Sequence, residues 1–262
     1  MINQLKGIRF FYLYVIGLIV IIESIGSSLV HAKKFIIGVE AVRYYPLYDF
    51  RDDQMAHPSF TRDLLTAFFT AQHYDFKFVA LPLKRFDKWY EEQNIDFKFP
   101  DNRRWRDDGG KRLGLIFSAP VVKLMAGSFV LKSRVNELTR DKVTKLATVF
   151  GFYPILWADL VNNHQINVLS ENSPMSIVKH LLYGNVDVTN IDLNVINYQL
   201  GRLNRQGEIV LSMQLPHETY DYYLSTIHFP KVITEFNMFL KNHRQLLKAL
   251  KQKHHIKEEL DE

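Results

Sequence analysis

The stretch FIIGVEAVRYYPLYDF, residues 35–50, decides how the rest of the chain is interpreted. Its first five residues, 35–39, are an apolar run, which is typical of a strand buried on both faces of a parallel sheet. The tyrosines and proline that follow indicate a loop leaving the strand. Downstream, strand patterns alternate with helical patterns. We therefore predict an α/β fold.

The alternation falls into two blocks of unequal length. Residues 133–145 are polar and lack apolar periodicity, which makes them the best linker candidate between the blocks. Residues 230–253 carry the periodicity of one long amphipathic helix that is left over at the end. We therefore predict a discontinuous first lobe at 33–130 and 216–262, a second lobe at 131–215, and two strands crossing between them.

The N-terminal residues differ from the rest of the chain. Lys6 and Arg9 precede an uncharged stretch at 10–22, and small residues then lead to Val30-His31-Ala32. This order is typical of a secretory signal peptide, so we predict that residues 1–32 are a leader cleaved after Ala32 and that the protein works in the periplasm. An uncleaved N-terminal anchor is the alternative, although the stretch is short for a bilayer span.

Composition narrows the classes of function. The chain has 262 residues, 47% of them hydrophobic and 23% charged, which is an ordinary globular balance. It contains no cysteine, so disulfides, thiolate nucleophiles and thiolate metal sites are excluded. The net charge of +5 is too small to predict a nucleic-acid partner. Motifs for metalloproteases, serine hydrolases, phosphate loops and dinucleotide sites are absent, and we expect neither a cofactor nor a metal.

The order of several short motifs resembles one known family. They are the opening strand and aromatic loop, PLKRF at 82–86, a strand beginning at Asp96, FSAP at 117–120, Gly151-Phe152, the pair Asp187 and Asp192, and YYLSTIHFPKVITEFNMFLKNH at 222–243. In this order they resemble the family 3 bacterial extracellular solute-binding proteins. The resemblance covers about residues 33–253.

The resemblance implies a two-lobed type II periplasmic binding fold and a role in transport. Members capture polar amino acids and related solutes for ABC transporters. We therefore expect a monomer that is not an enzyme, that binds a small polar, amino-acid-like or anionic solute between its lobes, and that docks on an ABC permease or a membrane sensor.

The resemblance also implies which side chains contact the solute. Tyr44 and Tyr45 match the family's aromatic wall, and Arg85 matches an arginine that could grip an anion. Glu40 stands where the family commonly has an acid, and it either contacts the solute or caps the next turn. Asp192 matches the acid that accepts the solute's ammonium group, but it also suits a helix N-cap before residue 193. Asp187 is expected to be structural.

Two departures from the family pattern put α-amino-acid specificity in doubt. Lys111 stands where the family has its carboxylate-binding arginine, and Arg103, Arg104 or Arg106 could supply the missing guanidinium group. Phe152 replaces a small hydroxyl residue and so removes a hydrogen-bond donor.

Two rival functions remain open at this point. Some relatives with this architecture are periplasmic dehydratases that use a cleft carboxylate, and Glu40, Asp101 and Asp192 are the acids to examine for such a reaction. A cleft acid with a shifted pKa and no charge partner would favour this enzymatic function. The other is a solute-responsive interaction protein that serves no transporter.

Overall fold

Ten strands join in one sheet in the computed structural model, which describes residues 33–50, 58–92, 94–106 and 108–259. The predicted leader and its cleavage site lie outside the described residues. In these described ranges, no helix combines the length and the apolar character that a bilayer span requires. The described residues from Lys34 onward belong to one compact unit.

The elements follow the predicted alternation. The strands are β1 (Phe35–Glu40), β2 (Phe76–Leu81), β3 (Phe97–Asp101), β4 (Ile116–Phe117), β5 (Val122–Leu131), β6 (Lys145–Val149), β7 (Asn167–Glu171), β8 (Val188–Asp192), β9 (Ile209–Leu211) and β10 (His217–Thr226). The α-helices are α1 (Phe60–Ala71), α2 (Trp89–Glu92), α3 (Ala158–Asn162), α4 (Pro174–Leu182), α5 (Leu193–Leu203), α6 (Pro230–Asn242) and α7 (Arg244–Lys253). Short 3₁₀ turns include Leu83–Lys88, Arg103–Trp105 and Ile155–Trp157.

The sheet consists of two parallel groups joined by an antiparallel pair. Its order is β2-β1-β3-β10-β5-β8-β6-β7, with β4 also on β10 and β9 also on β5. Strand β1 runs parallel to β2 and β3, and β6 runs parallel to β7 and β8. We call β1–β4 with α1, α2, α6 and α7 the first lobe, and β6–β9 with α3–α5 the second lobe.

Strands β5 and β10 connect the two lobes. The first half of β10 pairs with β5, whereas its second half pairs with β3 and β4. The chain thus enters the second lobe through β5 and returns through β10, and the predicted discontinuous lobe and two crossing strands are confirmed. The lobe boundaries at 130 and 215 stay predictions.

Apolar side chains at helical spacing attach α1 to the sheet. On β1, Phe35, Ile37 and Val39 are buried, as expected of a central parallel strand. The buried face of α1 carries Phe60, Leu64, Leu65, Phe68 and Phe69, which pack into the same core as β1. This packing fixes the carboxyl end of β1, where the tyrosine-rich loop begins.

In the second lobe, local features define both ends of α4, and a hydrogen bond attaches Trp157 to β5. The hydroxyl of Ser173 accepts a hydrogen bond from the backbone N–H of Met175 at 3.2 Å, which caps the start of α4. Gly184, with φ +69°, supplies the left-handed conformation just after the end of this helix. The buried Trp157 indole donates to the hydroxyl of Ser128 on β5 at 3.1 Å.

Two predicted segments differ from the structure. The polar stretch 133–145 is not a free linker, because Leu138 and Val143 are buried in the cluster that holds Trp157. The predicted helix 230–253 is interrupted at His243, whose φ and ψ are −110° and 39°. Histidine and the preceding Asn242 are weak helix formers, which favours a break at this position.

Candidate functional site

A cavity of about 550 Å³ lies between the two lobes. The first lobe contributes the end of β1, the turns Leu83–Lys88 and Arg103–Trp105, and the second contributes residues 151–155 and the end of β8. The two connecting strands, β5 and β10, also line the cavity. The lining residues are Glu40, Tyr44, Leu83, Lys84, Phe86, Arg104, Trp105, Arg106, Ala126, Gly151, Phe152, Tyr153, Ile155, Asn190, Ile191, Glu218, Tyr220 and Tyr222.

Glu40 is the buried acid of this cavity. It ends β1, only 2% of its surface is exposed, and its carboxyl group accepts a hydrogen bond from the Tyr48 hydroxyl. Burial raises the pKa of Glu40 to about 7, against a usual value of 4.5, because the charged form loses water. Near neutral pH this side chain can therefore hold or release a proton.

Tyrosines surround the Glu40 carboxyl group. Burial is the main reason that the pKa values of Tyr44, Tyr48 and Tyr222 lie well above their usual range, and the Glu40 charge adds to the rise. These hydroxyl groups stay neutral donors at any ordinary pH. The Tyr44 ring also lies 5.3 Å from the Phe152 ring, so a first-lobe side chain contacts the second lobe.

Asp192 has the helix-capping geometry that the sequence allows. Its side chain accepts hydrogen bonds from the backbone N–H groups of Asn194 at 2.7 Å and Met125 at 3.2 Å. Its own backbone N–H donates to the Tyr44 hydroxyl at 2.8 Å. Burial raises the pKa of Asp192 to about 6. Asp192 is not among the lining residues, so its predicted contact with a solute stays a prediction.

The two arginines on the cavity wall are bound to carboxylates of the same chain. Arg106 donates to both oxygens of Asp101, at 2.8 and 3.3 Å, and Asp101 is fully buried beside the cavity. Arg104 donates to Glu218 across the lobe connection. Arg103 is exposed, with its guanidinium 4.6 Å from the centroid of the Phe117 ring, and does not line the cavity.

Three other predicted contact residues lie elsewhere. Tyr45 packs against Tyr198, with ring centroids 4.3 Å apart. Arg85 is exposed and its guanidinium is 3.7 Å from Glu92. Lys111 is exposed in the turn before β4. The structure thus brings together Glu40, Tyr44 and Phe152 on the cavity wall, and it does not bring Tyr45, Arg85, Arg103 or Lys111 to them.

Several lining residues escaped the sequence analysis. Tyr220 and Tyr222 stand two apart on β10, and alternate residues of a strand share a face. That spacing could have identified them. Trp105 and Glu218 have no comparable signal, since their place on the wall depends on how the lobes meet. Among the described residues there is no group of three histidine, aspartate or glutamate side chains that could hold a metal ion.

Gly151 allows the two lobes to approach. Its φ is +93°, and a Cβ atom there would lie 2.8 Å from the Cβ of Leu83 across the cavity. We expect Gly151→Ala to lower the free energy of unfolding by about 1–3 kcal/mol, through overpacking and backbone strain, and to increase the radius of gyration in X-ray scattering.

Gly184→Ala is the matched control for this substitution. Gly184 also has a positive φ, of +69°, but a Cβ atom there would have no neighbour within 4 Å. It should lose stability through backbone strain and keep the radius of gyration unchanged. Equal effects of the two substitutions on both quantities would contradict a close approach of the lobes at Gly151.

Solved structures with the same fold cover most of the chain. A putative binding component of an ABC transporter from Wolinella succinogenes, complexed with lysine, has a TM-score of 0.67 and 18% identity, over 86% of this chain and 96% of that one. A histidine kinase sensor domain similar to periplasmic binding proteins has a TM-score of 0.64 and 14% identity, over 85% and 96%. An ancestral amino-acid-binding protein, a precursor of cyclohexadienyl dehydratase, has a TM-score of 0.64 and 15% identity, over 84% and 95%.

No family model and no curated protein matches the sequence. The structural likeness therefore establishes the fold, which is the two-lobed type II periplasmic binding fold that the sequence predicts. Proteins that share a fold differ in function, so the function has to be argued from the cavity.

Proposed function

We propose that this protein is a solute-binding protein that closes its two lobes over one small solute. The observation that carries the proposal is the cavity between the lobes, whose wall combines aromatic rings with the buried Glu40 carboxyl group. Pockets for small molecules are typically of this size, mostly apolar, and fitted with a few polar groups.

Solute binding would shift the protein toward its closed form. Contacts such as the one between Tyr44 and Phe152 join the lobes, and a solute that touches both lobes prefers the closed form. The solute can stabilise the closed form by no more than the difference between its binding free energies for the closed and open forms. The closed form is then the one that an ABC permease or a membrane sensor would recognise. The leader-like N-terminal sequence supports a role in the periplasm, and we propose that the protein acts there as a monomer.

The test is the recovery of the solute from the protein. The protein, expressed from its full-length sequence, is purified without denaturation, unfolded, and the released small molecules are identified by mass spectrometry. We expect one compound in near-stoichiometric amount, and we expect the same compound to raise the melting temperature when it is added back. If no compound is retained and none of a broad panel of amino acids, amines, organic acids and sugars raises the melting temperature, the proposal is wrong.

A second candidate function is an enzyme that uses Glu40. This acid is buried in the cavity wall, its pKa is raised to about 7 by that burial, and no ion pair joins it to a described residue. A carboxyl group with a pKa near the working pH suits general acid–base catalysis. The same recovery experiment separates the two functions, because a binding protein returns the added solute unchanged, whereas an enzyme converts it with turnover.

A further inference from the structure

The charges on the cavity wall are already paired, with two exceptions. Arg106 is bound by Asp101, and Arg104 is bound by Glu218. Among the described residues, the Glu40 carboxyl group accepts a hydrogen bond only from the Tyr48 hydroxyl. Lys98, a cation whose charge acts on Glu40, donates to the backbone carbonyl of Phe86 at 3.0 Å. The Lys84 ammonium is exposed at the rim, 4.4 Å from the centroid of the Phe150 ring.

Aromatic rings form a nearly continuous surface around Glu40. The Tyr48 and Tyr222 centroids are 6.3 Å apart, and Tyr222 lies 5.7 Å from Tyr220 and 5.8 Å from Trp105. On the other side, Tyr44 lies 5.4 Å from Tyr48. Faces of tyrosine and tryptophan attract cations, and they also stack on planar groups.

We propose that the cavity binds an organic cation that carries a planar or aromatic group and needs no carboxylate, with its cationic end at Glu40 inside this aromatic surface. This proposal rests on the proposed solute-binding function and names the class of solute. The cation would supply an ion pair to Glu40, which among the described residues is the buried carboxyl group on the cavity wall that has none, while the planar group stacks on the rings.

A solute carboxylate finds no comparable partner on this wall. To reach the Arg106 guanidinium it would have to displace Asp101, which is fully buried, and an uncompensated buried carboxylate is strongly unfavourable. Arg104 is already bound by Glu218, with which a solute carboxylate would have to compete. Lys84 remains available, but an ion pair with an exposed ammonium contributes little. The wall therefore discriminates by charge in favour of cations.

Three compounds that differ only in their charged groups test this class. They are phenethylamine, a cation; phenylalanine, which adds the carboxylate; and 3-phenylpropanoate, which has only the carboxylate. Isothermal titration and melting temperature are measured with the purified protein. We expect phenethylamine to bind at least tenfold more tightly than the other two. Tighter binding of phenylalanine or 3-phenylpropanoate overturns the inference and leaves the solute-binding function standing.

Failure of the inference and failure of the proposed function can be distinguished. If none of the three compounds binds but sugars, aliphatic amino acids or organic acids raise the melting temperature, only the class of solute is wrong. If no compound of any class has an effect, both proposals are wrong.

Glu40→Gln tests the contact itself. The amide keeps the shape and can still accept from Tyr48, but it removes the charge. We expect phenethylamine affinity to fall at least tenfold. Glu235→Gln is the matched control, because Glu235 also accepts a hydrogen bond from a tyrosine hydroxyl, that of Tyr74, but lies on α6 outside the cavity. It should leave the affinity unchanged. Equal losses in the two variants would overturn the inference.

The pH dependence of binding gives an independent measurement. Phenethylamine stays protonated between about pH 5.5 and 8.5, so changes in its affinity report the protein. The ionisable groups facing Glu40 are Tyr44 and Tyr48 on its own loop, Lys98 and Asp101 on β3, and Tyr220 and Tyr222 on β10. The tyrosines titrate far above this range. Affinity should therefore fall as the pH drops below about 7 and Glu40 takes up a proton, and this fall should be absent in Glu40→Gln. A fall of equal size in the variant overturns the inference.

Discussion

Replacing Asp101 by asparagine should lower the free energy of unfolding by about 3–5 kcal/mol, which is the usual cost of breaking a buried ion pair by removing one partner. Asp101 is fully buried and accepts two hydrogen bonds from Arg106, whose side chain is only 7% exposed. It also accepts from the Ser225 hydroxyl at 2.6 Å. In Asp101→Asn the buried guanidinium loses the charge and the two acceptors that Asp101 supplies, and the new amide N–H groups repel its own. Chemical unfolding followed by circular dichroism measures the loss.

Asp159→Asn provides the matched control for this prediction. Asp159 also accepts two hydrogen bonds from an arginine, Arg140, at 2.6 and 2.7 Å, but both side chains of that pair are exposed. Exposed ion pairs contribute little, since water screens the charges and solvates them when the pair is broken. The unfolding midpoint of Asp159→Asn should stay close to that of the parent. A comparable loss in both variants would show that burial does not set the cost.

Glu40→Gln should become more stable than the parent as the pH rises, by about 3 kcal/mol near pH 8. Burial raises the folded pKa of Glu40 to about 7 from the usual 4.5, and each pKa unit corresponds to about 1.4 kcal/mol. Between these values the folded protein holds a proton that the unfolded chain has released. Folding stability therefore falls as the pH rises through this window, and it reaches its lower level above about pH 7. Glutamine does not titrate, so the variant avoids this loss.

The measurement is the difference in unfolding free energy between the two proteins at about pH 4.5 and about pH 8. Near pH 4.5 the carboxyl group is mostly neutral and the two proteins should be similar in stability. Asp192, whose pKa burial raises to about 6, adds a loss of the same sign to both proteins and cancels in the comparison. A difference that stays constant across the pH range would contradict the burial of Glu40.

The burial of the Glu40 charge costs stability, and the hydrogen bond from Tyr48 and the charge of Lys98 offset that cost only in part, because the pKa of Glu40 still rises to about 7. Natural proteins tolerate such costs where a group is held ready for a ligand or a reaction. Arg104 and Arg106 differ from Glu40, because carboxylates of the same chain compensate their charges. This contrast between Glu40 and Arg106 is the physical basis for proposing a cationic solute.

Sequence pattern predicted the alternation of strands and helices and a discontinuous first lobe, and the family resemblance implied the type II fold. The apolar run at 35–39 and the helical periodicity at 230–253 are short-range signals, and the structure has β1 at the first and α6 and α7 at the second. The predictions failed where local signals were weak, as at the His243 break and in residues 133–145, whose apolar side chains are few but buried.

The cavity was predictable only in part. Resemblance of the opening strand and loop identified Glu40 and Tyr44, and the Gly151-Phe152 pair identified Phe152, and all three line the cavity. The tertiary structure alone decided how the charges on the cavity wall pair and that Glu40 has no ion pair with a described residue. Arg104 meets Glu218 over a separation of 114 residues, and Tyr44 meets the backbone of Asp192 over 148. Sequence pattern encodes hydrophobic periodicity over a few residues, whereas the pairing of charges and the loss of water at Glu40 arise only when distant segments pack together.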